Sequence, residues 1–177
     1  MDYAIRAARA SDIPTLAALI ALSARGLSQK EYSEEQIEAA VASIYGVDSE
    51  LISDGTYFVA EAGGELIGCG GWSRRRTLFG GDQAASRDVG VLDPARDAAK
   101  IRAFFVHPNW ARRGVGRAIL LRCEHEATDA GFHALELMST LPGVRFYLAM
   151  GYETSEPITY AAGDVVLKFI PMRKQLR

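Results

Sequence analysis

The densest chemistry in the chain sits at Ala111-Arg112-Arg113-Gly114-Val115-Gly116-Arg117, where three arginines surround two glycines just ahead of an apolar, helix-periodic run. A helix N-terminus presents unpaired N–H groups and about half a positive charge. It is therefore a natural seat for phosphate. Gly114 and Gly116 remove side chains that would hold a pyrophosphate away from those groups. Arg112, Arg113 and Arg117 add cationic donors around the same point. Each glycine costs about 1 kcal/mol of helix propensity, with little structural return. On Gly-x-Gly alone, a plain turn rimmed by solvated arginines remains an open alternative. Two familiar phosphate loops are excluded. No Gly-x-x-x-x-Gly-Lys-Ser/Thr is present, and Ile119 stands where the dinucleotide fingerprint requires its third glycine.

The surrounding elements place this turn. Ile101 to Val106 predicts a strand, Asn109 to Arg113 a turn, Gly114 to Ala130 a helix closed by Gly131, and His133 to Met138 a second, interior strand. That is a βαβ unit, with parallel strands and a right-handed crossover. Ligands collect at the C-terminal ends of such strands, where the arginine-glycine turn lies. Upstream, Tyr3 to Ala8 predicts a strand. Ser11-Asp12-Ile13-Pro14 starts a helix that continues through Leu22 towards Gly26. Ser33-Glu34-Glu35-Gln36 is a capping box ahead of Ile37, Ala40, Val41 and Ile44 at helical spacing. Tyr57 to Glu61 and Leu66 to Trp72 form a hairpin about Gly63-Gly64. Ser73 to Ala99 reads as one long irregular loop, a length that is usually functional or mobile. Downstream, Val144 to Met150 predicts a short helix ending at Gly151. Tyr152 to Tyr160 and Val165 to Ile170 predict a closing hairpin. The fold class is thus α/β with a mixed sheet and helices on both faces, in a single domain over residues 1–177.

Bulk properties narrow the function. With 49% apolar and 24% charged residues, the composition is that of an ordinary soluble domain with a real core. A formal charge of -2 gives no global field for nucleic acid or an anionic membrane, so any anion site must be local. Arg112, Arg113, Arg117 and Arg122 are too few to make a nucleic-acid face. No apolar run approaches the ~20 residues of a bilayer span, and Met1 to Arg6 carries no apolar leader core. Cys69 and Cys123 have no metal spacing and suit a reducing cytoplasm, where thiols fill core space. No metal is expected: His125 lies between Glu124 and Glu126 without ligand spacing to His133.

The turn and its flanks resemble a known family. Phe104 to Leu120, with Phe104-Phe105-Val106-His107-Pro108 ahead of the arginine-glycine turn, is similar to the acetyl-CoA motif of the GNAT superfamily of N-acetyltransferases. Phe146-Tyr147-Leu148-Ala149-Met150-Gly151-Tyr152 is similar to the family's second motif. The order of elements matches over nearly the whole chain. One position departs: Ala111 stands at the usual Arg/Gln, although Arg113-Gly114-Val115-Gly116-Arg117-Ala118 also fits the motif in a shifted frame.

The resemblance implies an acetyl-CoA-dependent N-acetyltransferase acting on an amine of a small molecule or peptide. The backbone of Phe104, Phe105 and Val106 would pair with the pantetheine arm. The N–H groups from Arg112 through Gly114, Val115 and Gly116 to Arg117 would hold the pyrophosphate, and the thioester would lie where the two parallel strands splay. Tyr147 takes the family position of the general acid, and Val106 is the candidate backbone donor to the oxyanion. The base is open. Histone-type members carry a glutamate where this chain has Lys100, and Glu61 and Asp88 are the remaining candidates. Trp72 is either acceptor-pocket or core. Arg74-Arg75-Arg76 is either a solvated loop or a contact for an acidic substrate. A non-catalytic acetyl-CoA sensor of the same fold is the alternative reading. The acceptor and the oligomeric state, a homodimer included, are not fixed by sequence.

Overall fold

A computed structural model of the chain describes residues 2–84, 87–88 and 90–177. Its frame is one mixed sheet of eight strands: β1 (Ala4–Ala7), β2 (Tyr57–Ala62), β3 (Glu65–Ser73), β4 (Ala99–Val106), β5 (Ala134–Thr140), β6 (Glu153–Thr154), β7 (Ile158–Ala162) and β8 (Val165–Gln175). The spatial order is β1-β2-β3-β4-β5-β8-β6, with β7 also paired to β8. Only β4 and β5 run parallel. Between them lies the crossover helix α4 (Val115–Asp129), as the βαβ reading requires.

Helices cover both faces. On one, α1 (Ile13–Leu27) and α2 (Glu34–Ser43) pack on the sheet through Leu16, Leu19, Ile20, Ile37 and Ala40. On the other, α4 buries Val115, Ile119, Leu120, Cys123 and Ala127, joined by Tyr147 of α5 (Val144–Ala149). Ser33 caps α2 by accepting from Gln36 N–H at 3.1 Å, and the Gln36 side chain returns the bond to Ser33 N–H at 2.9 Å. The capping box reads as the sequence predicts.

Two elements differ from expectation. A further helix, α3 (Ser49–Asp54), is capped by Asp48, which accepts from Leu51 N–H, and ends at Gly55 in the left-handed region. With only Leu51 and Ile52 apolar it is too short to show a helical period. The expected strand Tyr152 to Tyr160 is two strands, β6 and β7, separated at residues 155–157. Pro157 has no N–H to give the ladder there.

The long loop after β3 is not a free excursion, although its positions 85, 86 and 89 lie outside the described residues. It docks on the α2–α3 segment. Gln83 Nε2 donates to Tyr45 O at 2.7 Å, Asp82 accepts from Ser49 N–H at 3.0 Å, and Arg87 meets Asp48 at 3.1 Å. Its segment 78–81 thereby comes to the mouth of the cavity described next.

Candidate active site

Gly114 opens α4 with φ 84, and a Cβ there would meet nothing within 4 Å. Its glycine answers to the left-handed backbone, not to crowding. Arg112 also has positive φ, at 62, which is uncommon strain for a side-chain-bearing residue and typical of ligand sites. No side chain caps α4, and its first turn carries no acid. Its leading N–H groups are therefore available to an anion. At Gly116 a methyl would rest 3.5 Å from Phe146 and 3.6 Å from Val106, an ordinary contact. Packing alone does not demand glycine at 116.

This turn opens on a cavity of about 1110 Å³. Arg112 and Arg117 line it, with Gly114, Val115 and Gly116 between them. Arg113 is not among the lining residues; its guanidinium lies over the Trp110 ring, 5.5 Å from the centroid. Arg145 of α5 lines the cavity instead. The sequence reading missed it, since a lone arginine on a short helix carries no motif.

The cavity continues between β4 and β5. Their parallel pairing is confined to Ala99↔Leu135 and Lys100↔Glu136, so beyond it the strands part. A bulge drives this. Between the pairs Gly71↔Arg102 and Cys69↔Phe105, β4 advances three residues while β3 advances two. The surplus is taken up by Ala103, at φ 57. Two fully buried donors pin the bulge. Tyr57 Oη donates to Ala103 O at 3.2 Å, and Cys69 Sγ to the same oxygen at 3.7 Å. Next to it, Arg102, 3% exposed, pairs with the fully buried Asp48 and donates to Gly80 O at 3.2 Å. Burial pulls the Arg102 pKa down while Asp48 opposes that pull.

His107 N–H reaches Ile67 O on β3 at 2.9 Å. By the alternation of strand amides, Val106 N–H faces the other way, and there it donates to Ser23 Oγ at 3.2 Å. Ser23, on α1 and 4% exposed, lines the cavity. Phe104 and Phe105 line it as well, one packing towards α4, the other towards α1 and α2.

Tyr147 stands across the gap. Its ring is packed edge-on against Phe104 at 6.4 Å, Phe146 at 5.0 Å and Tyr152 at 5.6 Å. Tyr152 is itself fixed through its hydroxyl to Glu124 at 3.1 Å, a carboxylate that Lys174 holds at 2.9 Å. Burial raises the Tyr147 pKa above the usual tyrosine value, with a smaller contribution from Cys123. The residue lines the cavity.

Other expected residues fall elsewhere. Lys100 is paired to Glu136 at 2.6 Å. Glu61 is held by Arg6 at 2.9 Å, and Asp88 accepts from Gly90 N–H at 2.9 Å. None of the three lines the cavity. Trp72 is core: it packs edge-on to Phe132 at 6.1 Å and its Nε1 donates to Glu126 at 3.3 Å. Arg75 is bound to Asp54 at 2.7 Å and anchors the loop, while Arg74, over Trp72, and Arg76 are exposed. His125 is exposed beside Asp129. No group of metal-binding side chains is found among the described residues.

The profile of the acetyltransferase (GNAT) family matches residues 13–152. The chain belongs to the GNAT acetyltransferase family. No curated protein matches it, but solved structures of GNAT proteins superpose over its full length. A GCN5-related N-acetyltransferase from Rhodopseudomonas palustris shares 22% identity, covering 99% of this chain and 97% of its own, with TM-score 0.74. The PaiA N-acetyltransferase of Thermoplasma acidophilum, solved with coenzyme A, shares 18% over 99% of both chains, with TM-score 0.66. YncA of Salmonella typhimurium, a putative acetyltransferase solved with acetyl-CoA, shares 16% over 100% of this chain and 95% of its own, with TM-score 0.64. At these identities the likeness is one of fold. The GNAT segment contains the Gly114 turn, the splayed strands and Tyr147, and the solved structures extend the fold over β1 and the β7–β8 hairpin.

Proposed function

We propose that this GNAT protein, as one catalytic domain over residues 1–177, transfers the acetyl group of acetyl-CoA to an amine. One observation carries the reading: a single cavity joins an uncapped helix N-terminus behind Gly114, the parted edge of β4, and Tyr147. The order suits a long donor with an anionic end and a thioester end. The N–H groups from Arg112 to Arg117 take the pyrophosphate, with Arg112, Arg117 and Arg145 supplying charge. The backbone of Phe104 to Val106 takes the pantetheine amides as an added strand would.

An alkyl ammonium with pKa near ~10.4 is almost wholly charged at pH 7, and only its neutral form attacks. The nitrogen lone pair adds to the thioester carbon, and the carbonyl oxygen becomes an oxyanion. Val106 N–H is our candidate donor to that oxygen, once Ser23 Oγ has moved off it. As the intermediate collapses, the C–S bond breaks, the nitrogen sheds its extra proton to solvent, and Tyr147 gives its hydroxyl proton to the leaving sulfur and takes one back from solvent. A phenol held above its usual pKa remains a donor across the working range.

Acetylation is followed by release of free thiol from acetyl-CoA. Replacing Tyr147 by Phe should lower kcat about 10²–10⁴-fold while leaving acetyl-CoA affinity unchanged. Full activity in Tyr147→Phe would remove the general-acid role. No helix is long and apolar enough to cross a membrane among the described residues. Cys69 and Cys123 are unpaired and buried, with the Cys69 thiol pushed up to about 12 by burial. Such inert thiols accord with a cytoplasmic location, which is part of the same proposal.

A further inference from the structure

The acceptor half of the cavity, like the donor half with Phe104, Val106 and Phe146, keeps half-buried apolar side chains in its wall. Its walls are apolar side chains left half-buried although nothing of the protein covers them: Leu78 and Phe79 from the long loop, Phe105 from β4 and Met138 from β5. Phe79 is held in place edge-on to Tyr160 at 5.2 Å and against Phe169 at 5.7 Å. Phe105 is held edge-on to Tyr45 at 5.7 Å. Apolar surface kept open in a concave site is normally matched by an apolar ligand.

Charge points the same way. Glu31 is the one carboxylate among the described residues that line the cavity. It sits exposed on the α1–α2 connection beside Lys30, and its charge reaches the Tyr32 hydroxyl. A polyamine keeps several ammonium groups and would need carboxylates along its length. An acidic acceptor would find Arg102, at the bulge, already engaged, its terminal nitrogens meeting Asp48, Glu50 and Gly80 O. The cation on this side is the exposed Lys30, next to Glu31 in the chain.

We propose that the acceptor is a primary monoamine on a compact apolar body, arylalkyl or branched alkyl, and that Phe79 selects it. The proposal rests on the acetyl-transfer reading above. The amine enters past Glu31, its apolar body lies between Phe79, Phe105 and Met138, and its nitrogen is carried to the parted strands. Phe79 touches only the body of the substrate, so its loss acts on binding and not on the chemical step.

The test measures thiol release from acetyl-CoA with 2-phenylethylamine, 3-methylbutylamine, spermidine, L-lysine and L-glutamate. Acetyl-CoA binding is followed on the same samples. The two apolar amines should exceed the other three in kcat/KM by roughly tenfold or more. Phe79→Ala should raise their KM by roughly tenfold with kcat and acetyl-CoA affinity kept, and Phe79→Leu should restore most of it. A preference for spermidine or an amino acid overturns the proposal. So does an unchanged KM in a folded Phe79→Ala. No turnover of either apolar amine while acetyl-CoA still binds overturns it too, leaving the donor site standing. Absence of acetyl-CoA binding overturns the acetyl-transfer reading itself. The wild-type ranking holds its meaning even if Phe79→Ala does not fold.

Discussion

A phenol as buried as Tyr147 keeps its proton past the pH at which an exposed tyrosine loses it, because burial penalises the phenolate. The active form is the protonated one, and its folded pKa is raised. Tyr147 therefore withdraws no activity until the pH exceeds the usual tyrosine value of about 10. Acetyl transfer should then rise with pH as the acceptor loses its proton, with no alkaline fall below about pH 10. A kcat/KM profile falling with a midpoint under pH 9 would contradict this. Ser23 makes a second residue-level claim. Its hydroxyl occupies the Val106 amide that the donor or the oxyanion needs. Ser23→Ala should destabilise the free protein by only about 0.5–1.5 kcal/mol, the net worth of one hydrogen bond whose N–H the open cavity leaves to water. It should also tighten acetyl-CoA binding, since the ligand no longer competes with a hydroxyl. Looser binding on titration calorimetry would show that Ser23 holds the ligand instead. Neither Ser23 nor Arg145 was legible in the sequence. A serine inside an apolar helix reads as a surface residue until the strand across from it is known.

At the scale of elements, the bulge of β4 and the docked loop share one anchor. Asp48 caps α3 through Leu51 N–H, meets Arg87 of the loop, and pairs with Arg102 beside Ala103. Its removal leaves the buried Arg102 with Glu50, at 3.4 Å, as its carboxylate partner, and losing the closer partner of such a buried pair costs up to about 3–5 kcal/mol. Asp48→Ala should lower the urea midpoint accordingly, and a shift under 1 kcal/mol would show that the network is not tight. The sequence marks the loop as long and irregular but carries no sign of its docking. The contacts that fix it join Asp48, Arg87 and Arg102, residues with no common period. The βαβ unit was legible because its strands, the Gly114 turn and Gly131 obey local rules. The short α3 and the interruption at Pro157 depend on single residues that period counting overlooks.

The molecule as a whole is a sheet covered on both faces, with its one parallel pair opened by a single surplus residue at Ala103. In the proposed reading the donor enters at the α4 end, and the acceptor wall is on the side of α1, α2 and the long loop, all of which line the cavity. The sequence offers Phe104 to Arg117 and Tyr147 as the candidate donor half, because backbone pairing and helix-end chemistry leave motifs, and residues of that segment line one cavity with Tyr147 in the fold. The candidate acceptor half carries no such mark, because Phe79, Met138 and Glu31 come from three separate segments and meet only in the fold.

The most direct test is acetyl-CoA titration of the wild type and of Gly116→Glu, by calorimetry or thermal shift. A Cβ at position 116 makes only ordinary contacts, at 3.5 Å or more, and an acid in the first turn of α4 favours the free helix, so the variant should fold. The same carboxylate would occupy the place of the pyrophosphate. The account predicts a saturable wild-type response that grows with ligand and is lost in a folded Gly116→Glu. Equal binding by both proteins, or none by the wild type at millimolar acetyl-CoA, would contradict it.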